Sequence, residues 1–302
     1  MAKKTVVTGG AGFIGSNLVA ILVKDGWDVH IIDRDPAFRR ASLPAEAHLH
    51  EVDIRDTDRV QEIMRGADVV FHMAAMPRVQ YSIDFPVETT DENVMGTVSV
   101  LTAAARAKVR RVVYSASGSA YGTQDVMPLV ETMPANPVNP YGLHKYIGEL
   151  FAQMWSQIYG IETVSLRYFN VYGPGMDPNG PYALAVGRFL KARLDGTPIT
   201  IYGDGTVTRD FTHVSDVVRA NMLAATSDKV GKGEVINIGA GRNISIKTLA
   251  ELFGGEIVYE APRIEAHDSL ADNRKAKELL GWEPTIQVEE GIAALKEHAG
   301  LS

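Results

Sequence analysis

The chain has 302 residues, 45% of them hydrophobic and 22% charged, with a net charge of −7 and no cysteine. At roughly 150 residues per domain this makes one large domain or two unequal ones, able to bury about three quarters of the unfolded surface without staples. The acidic balance argues against a nucleic-acid partner, and the missing cysteine excludes disulfides, thiol catalysis and cysteine-based metal sites, so no metal is expected.

Met1-Ala2-Lys3-Lys4 leads into an apolar run too short for a signal core or a membrane span, so no membrane association and a cytoplasmic location are expected. Residues 5–8 predict a strand, and 13–24 predict a helix with apolar residues at Phe13, Ile14, Leu18, Ile21 and Leu22. Apolar runs at 28–33, 67–72 and 111–115 predict further strands, separated by helical stretches at 58–65 and 93–108. This alternation implies an α/β fold, a doubly wound parallel sheet covered on both faces with right-handed crossovers. Beyond about residue 170, Gly and Pro crowd into 171–181 and 196–205. Strands are predicted there at 199–202 and 235–238, and helices at 182–195, 214–225, 246–253 and 273–280. Residues 1–170 are read as a nucleotide-binding domain to which later segments near 212–240 return. Residues 171–302 are read mainly as a smaller α/β lobe for substrate, packed closely since no linker separates the two.

Gly9, Gly12 and Gly15 fall between the first strand and the helix opened by Phe13 and Ile14. They supply a tight turn, close approach of backbone to a pyrophosphate, and close helix packing, with the phosphates at the helix N-terminus. Asp33 ends the second strand, where a carboxylate accepts from the adenosine ribose hydroxyls and repels a 2′-phosphate, which favours NAD over NADP; Arg34 beside it pulls the other way. Asp53 and Ile54 fall where an adenine edge would be bound. After His72, read as a strand-end histidine, Ala74 and Ala75 are small enough for a cofactor to lie against backbone.

Tyr141 and Lys145 lie one helical turn apart on the helix opened by Pro140. A buried ammonium beside a phenol is expected to lower the tyrosine pKa toward a working base. The run from Ser115 to Gly122 follows a strand and brings hydroxyls to the carboxyl edge of the sheet, where Ser117 can donate to the oxygen whose proton Tyr141 handles.

Taken together, these residues resemble the extended short-chain dehydrogenase/reductase superfamily, in its nucleotide-sugar epimerase/dehydratase branch, with a Rossmann sheet and bound NAD. The matching segments are Thr8 to Gly15, Asn93-Val94-Met95-Gly96-Thr97, Tyr141 with Lys145, Arg167 to Pro174, and Gly203 to Phe211. The resemblance implies that Tyr141 is the acid/base, that Lys145 also holds the nicotinamide ribose, and that Ser117 polarises the sugar C4 oxygen while bound NAD forms a 4-keto sugar. It also brings Asn93, Ser115 and Tyr168 to the cofactor. Arg78, Ser119, Tyr182, Ala183, Thr200 and Tyr202 go to the substrate, Asn170 to the pyrophosphate, and Arg209 and Arg263 to the two phosphates.

A 4,6-dehydratase of this branch has an Asp-Glu pair where this chain has Gly118 and Ser119, and a UDP-glucuronate decarboxylase has glutamate at Ser119. Without those groups, returning the hydride to the opposite face of a rotated ketone gives C4 epimerisation of a UDP-sugar. Ser269 matches a gate that is small in epimerases accepting N-acetylated sugars, so UDP-glucose/galactose and UDP-GlcNAc/GalNAc are both expected to fit. Glucuronate stays open, because Arg78 or Thr123 could meet a carboxylate. The chain departs from the branch at His267-Asp268, where a basic-then-histidine pair is usual. Two other readings remain: net oxidation or reduction of a nucleotide sugar, and a non-catalytic NAD sensor, which the Tyr-Lys pair opposes. Helices 93–108 and 141–159 carry more apolar residues than one buried stripe needs, among them Leu143, Ile147, Leu150, Phe151, Met154 and Trp155. In this superfamily two such helices per subunit form a four-helix dimer interface, so a homodimer is expected.

Overall fold

The computed structural model describes residues 2–35, 42–178, 185–262 and 268–301. β1 (Lys4–Thr8) is buried at four of its five positions without alternation, as a strand covered on both faces must be. A glycine turn carries the chain into α1 (Phe13–Lys24), followed by β2 (Asp28–Ile32), β3 (His48–His50), α2 (Thr57–Met64) and β4 (Val69–His72). The short helices α3 (Val79–Asp84) and α4 (Pro86–Thr90) lead through a wider, π-type turn at Asp91–Met95 into α5 (Gly96–Arg106). Then come β5 (Arg111–Ser117), α6 (Pro140–Tyr159) and β6 (Glu162–Tyr168). The smaller lobe begins with α7 (Ala185–Asp195), β7 (Ile199–Tyr202) and β8 (Thr208–Asp210). The chain then returns to the large sheet as α8 (Val214–Thr226) and β9 (Lys232–Ile238), and closes with β10 (Asn243–Ser245), α9 (Ile246–Phe253), β11 (Ile257–Glu260), α10 (Arg274–Leu280) and α11 (Val288–His298).

The large sheet runs β3-β2-β1-β4-β5-β6-β9, every pair parallel. The chain leaves β1 toward β2 and β3 on one side and toward β4 and β5 on the other. The crevice at the carboxyl ends of β1 and β4 is therefore the switch point where such sheets take ligands. Leu18, Leu22, Val217 and Trp282 pack under one face of the sheet, and Val60, Met64, Val100 and Leu101 under the other. Phe189, Ile199, Ile201, Phe253 and Ile292 form a separate core in the smaller lobe, beneath two small sheets, β8 with β10 and β7 with β11.

Hydrophobic periodicity passes over β6, α3, α4, α11, β8, β10 and β11. β6 is the instructive case, because its sequence ETVSLRY is buried almost throughout despite Ser165 and Arg167. Arg167 is tolerated there because Glu149 of α6 pairs with it at 2.8 and 2.7 Å, an arrangement that no strand pattern reveals. Among the described residues, no helix is long and apolar enough to cross a membrane.

Candidate active site

The glycine turn is dictated by contact distances. Gly9 has φ +68°, and a Cβ there would lie 2.7 Å from Ala74 Cα; a Cβ on Gly15 would lie 2.2 Å from the Gly9 carbonyl oxygen. Only glycines let α1 and the segment after β4 close on β1 like this. Gly12 caps α1 in an exposed position, and no acidic side chain occupies that helix's first turn, so no carboxylate there opposes a pyrophosphate at its N–H groups. Phe13 and Ile14 lean half-buried on the main core, while Ala75 lies partly covered just past Ala74. The Asp33 carboxylate accepts from the Ala11 N–H at 3.1 Å and the Asp35 N–H at 3.2 Å, which fixes it on the rim of the turn. Arg34 donates to Glu92 at 2.8 Å and lies 3.6 Å from Asp53, so carboxylates already neutralise it.

Asp53 has a charged partner within the protein. Arg55 donates to both of its oxygens, at 3.0 and 2.6 Å, and holds its carboxyl down at about 2. Ile54 packs where a Cβ on Gly96 would fall, so the pair forms a wall between α2 and α5. Asn93 likewise exchanges hydrogen bonds with the Met76 backbone, at 2.7 and 3.1 Å, and holds the loop after β4 from beneath. His72 is buried at the end of β4. Thr97 donates to the Asn93 carbonyl at 2.6 Å and therefore accepts from His72 Nε2 at 3.0 Å, leaving Nδ1 to accept from Thr8 Oγ1 at 2.8 Å. Burial, with Lys145 second, pulls its pKa to about 3, so it stays neutral and ties β1, β4 and α5 together.

α6 starts with Asn139 accepting from the Gly142 N–H at 2.9 Å, has Pro140 at its first position, and stops at Gly160 in the left-handed region. Two glycines inside it set its distance from β5. A Cβ on Gly142 would come within 2.7 Å of the Ser119 carbonyl oxygen, and one on Gly148 within 2.1 Å of the Tyr114 hydroxyl. The helix therefore lies flush against the strand end and brings three functional side chains together. Tyr141 shares a hydrogen bond with Ser117. Ser117 donates to Ser119 Oγ at 3.1 Å, and buried Lys145 donates to the Ser115 carbonyl at 2.7 Å. Tyr168 stands beside them, donating to Asn221 at 2.9 Å.

The expected lowering of the Tyr141 pKa does not occur. Burial pushes the phenol up to about 12, against the Ser117 hydrogen bond, and burial drives Lys145 down to about 8. The ammonium is turned to the Ser115 carbonyl, and desolvation of the phenolate outweighs it. In the protein alone Tyr141 is thus a neutral phenol, poised as a proton donor.

On the lobe side, Asn170 sits at φ +31° and donates to the Asp210 carbonyl at 2.8 Å and to Ser269 Oγ at 3.4 Å. The Asp210 side chain accepts the N–H groups of Ala240, Gly241 and Ala271 at 2.6, 3.1 and 3.0 Å. Alternation on β7 buries Ile199 and Ile201 and leaves Thr200 and Tyr202 half-covered, with Arg188 over the Tyr202 ring at 5.2 Å. Arg209 Nη1 donates to the Thr208 carbonyl, and Asp268 accepts from the Thr208 N–H at 2.6 Å. Arg78 caps α3 and lies 5.6 Å from the Tyr81 ring, on the helix whose Ser82 accepts the Tyr141 N–H. Tyr182, Ala183, Arg263 and His267 lie outside the described residues.

Residues 5–239 match the model of the NAD dependent epimerase/dehydratase family. The chain belongs to that family. It is 37% identical to a UDP-glucose 4-epimerase of Mycolicibacterium smegmatis, over 97% of each chain. Its fold superimposes on the UDP-glucose 4-epimerase of Thermotoga maritima, solved with UDP-glucose, with a TM-score of 0.94 at 36% identity over 98% of each chain. It also superimposes on a UDP-N-acetylglucosamine 4-epimerase of Methanobrevibacter ruminantium in complex with UDP-N-acetylmuramic acid, with a TM-score of 0.92 at 32% identity over 98% of this chain and 97% of that one.

The NAD of this epimerase/dehydratase family suits the residues present: a glycine cradle that a Cβ would fill, an acid-free helix N-terminus and a carboxylate on its rim. Sequence reasoning misses Gly142 and Gly148, which set the α6 distance, and Glu149, which pairs with Arg167 one turn beyond Lys145 and opposes the fall in the lysine pKa. Spacing could have flagged Glu149, on the same helical face as Tyr141 and Lys145.

Proposed function

We propose that the protein interconverts the C4 epimers of a UDP-hexose, UDP-glucose and UDP-galactose first, through a transient 4-keto sugar. The arrangement that carries this reading is Ser117, Tyr141 and Lys145 at the carboxyl end of β5, beside the glycine turn. NAD, held by the glycine turn, Asp33 and Lys145, would supply a hydride acceptor and donor for the sugar C4. Tyr141 receives the C4 hydroxyl proton and gives it back, which for a phenol this high requires the charge of the loaded site to lower its pKa. Ser117 redirects its hydroxyl from Ser119 to the sugar oxygen, and Lys145 holds the cofactor ribose. Gly118 supports epimerisation over dehydration for a steric reason as well. A Cβ there would lie 3.1 Å from the Phe169 ring, so an acid fits only if that buried ring gives by a few tenths of an ångström.

In this reading residues 1–170, with the return near 212–240, serve the cofactor, and 171–302 mainly serve the nucleotide sugar. Ser269 accepts from Asn170 and the Asp210 N–H, which draws its small side chain out of the way of a C2 substituent, so UDP-N-acetylhexosamines are substrates too. Arg78, on the helix beside Tyr141, favours glucuronate as the second reading. We place the dimer on α5 and α6. Phe151 and Trp155 turn inward, while Leu143, Leu150, Met154, Ile158 and Tyr159 are exposed, with Met95 beside them at the start of α5.

The test is to identify the nucleotide released from the purified protein, then to supply UDP-glucose, UDP-GlcNAc and UDP-glucuronate and follow both epimers of each. Tyr141→Phe is expected to lower kcat by about 10²–10⁴ with nucleotide retained. Unchanged turnover in that variant would remove Tyr141 from the mechanism.

A further inference from the structure

The opposite end of β2 holds a cluster that sugar chemistry does not use. Asp28 and His30 share one face of β2, as His48 and His50 share one face of β3, and the parallel register sets His30 beside His48. Three donor atoms converge. Asp28 Oδ1 lies 3.5 Å from His30 Nε2 and 3.4 Å from His48 Nε2, and all three lie within 4.8 Å of one another. Bonds of about 2.0–2.1 Å to a tetrahedral zinc require donor–donor edges of about 3.3–3.4 Å. Two edges are already close to that length. The third closes by rotation of His48, whose side chain is 59% exposed.

We propose that Asp28, His30 and His48 bind one divalent cation of the zinc class, with water in the remaining position. A further contact points to this. His30 Nδ1 lies 2.9 Å from His50 Nε2, and donation along it frees Nε2 as a ligand, the partner arrangement that metal-bound imidazoles use. Two imidazoles and one carboxylate select zinc-like ions over calcium or magnesium, which want oxygen. The cation would clip the three-residue edge strand β3 to β2, at the amino end of a strand whose carboxyl end approaches the glycine turn.

The experiment uses the untagged full chain, stripped with chelator and titrated with zinc chloride by calorimetry and with cobalt(II) by visible absorption. Expected are one saturable equivalent, tetrahedral cobalt bands, and a Tm raised by about 5 °C at a hundredfold excess over Kd. His48→Ala and Asp28→Asn should each weaken binding at least tenfold with an unchanged far-UV CD spectrum, and His50→Gln should weaken it about 10–100-fold. No saturation below about 1 mM zinc, or binding unaltered in both His48→Ala and Asp28→Asn, overturns the site. These readouts do not depend on what the active site turns over.

Discussion

The two sides of the active-site crevice are built by different means. On the cofactor side, shape comes from missing side chains: Gly9, Gly15, Gly142 and Gly148 each stand where a Cβ would strike backbone or a fixed ring. On the lobe side, it comes from one buried carboxylate, Asp210, which gathers three backbone N–H groups from two loops and carries Asn170 on its own carbonyl. Steric exclusion leaves no cheap adjustment, whereas a hydrogen-bonded hub can be weakened by degrees. The first suits a cofactor that is held throughout, the second a substrate that must enter and leave.

Gly15→Ala tests the rigid side and should have the larger effect of the two sides. Its Cβ would lie 2.2 Å from the Gly9 oxygen, so the turn must shift, and a displacement of about 1 Å costs on the order of 10² in rate. Retained NAD per chain, measured after purification, should fall together with turnover. A variant that keeps its NAD and its activity would show that the turn can yield after all.

Asp210→Asn tests the adjustable side. The amide keeps one acceptor and turns an NH₂ toward a buried N–H, leaving donors unsatisfied at about 1–3 kcal/mol. With Asn170 and Ser269 loosened, KM for the UDP-sugar should rise about tenfold while kcat and NAD retention hold. Loss of NAD in this variant would break the division between the two sides.

That division also accounts for what is legible in the sequence. Gly9, Gly12 and Gly15 announce the turn because glycines at that spacing, between a strand and a helix, serve to turn the backbone sharply and leave it bare. Tyr141 with Lys145 is read from one helical turn. The same residue type at Gly142 and Gly148 passes unnoticed inside a helix, since its reason is a partner across space, Ser119 or Tyr114. Asp53 and Asn93 are read from position alone, and the partners that also hold them, the Arg55 side chain and the Met76 backbone, are invisible there, because a motif gives position and not neighbours. The Tyr141 pKa moves opposite to its expected direction for a related reason: adjacency to Lys145 is visible in a sequence, and desolvation is not.

Acid titration separates the two sides by sign. His72, on the cofactor side, has its pKa lowered from 6.5 to about 3, so its contribution to stability is full above pH 6.5 and is lost as the pH falls toward 3. Asp210 has its pKa raised from 3.8 to about 6, so its contribution is present at low pH and is lost as the pH rises through 6. Between pH 7 and 5.5 each changes by about 1 kcal/mol, in opposite directions. Urea unfolding of the wild type, His72→Gln and Asp210→Asn at both pH values reads this directly. The deficit of His72→Gln relative to wild type should shrink by about 1 kcal/mol on acidification, and that of Asp210→Asn should grow by nearly as much. Deficits that move in the same direction would mean that the two buried groups are not neutral imidazole and desolvated carboxylate, and the contrast between the two walls of the crevice would lose its electrostatic half.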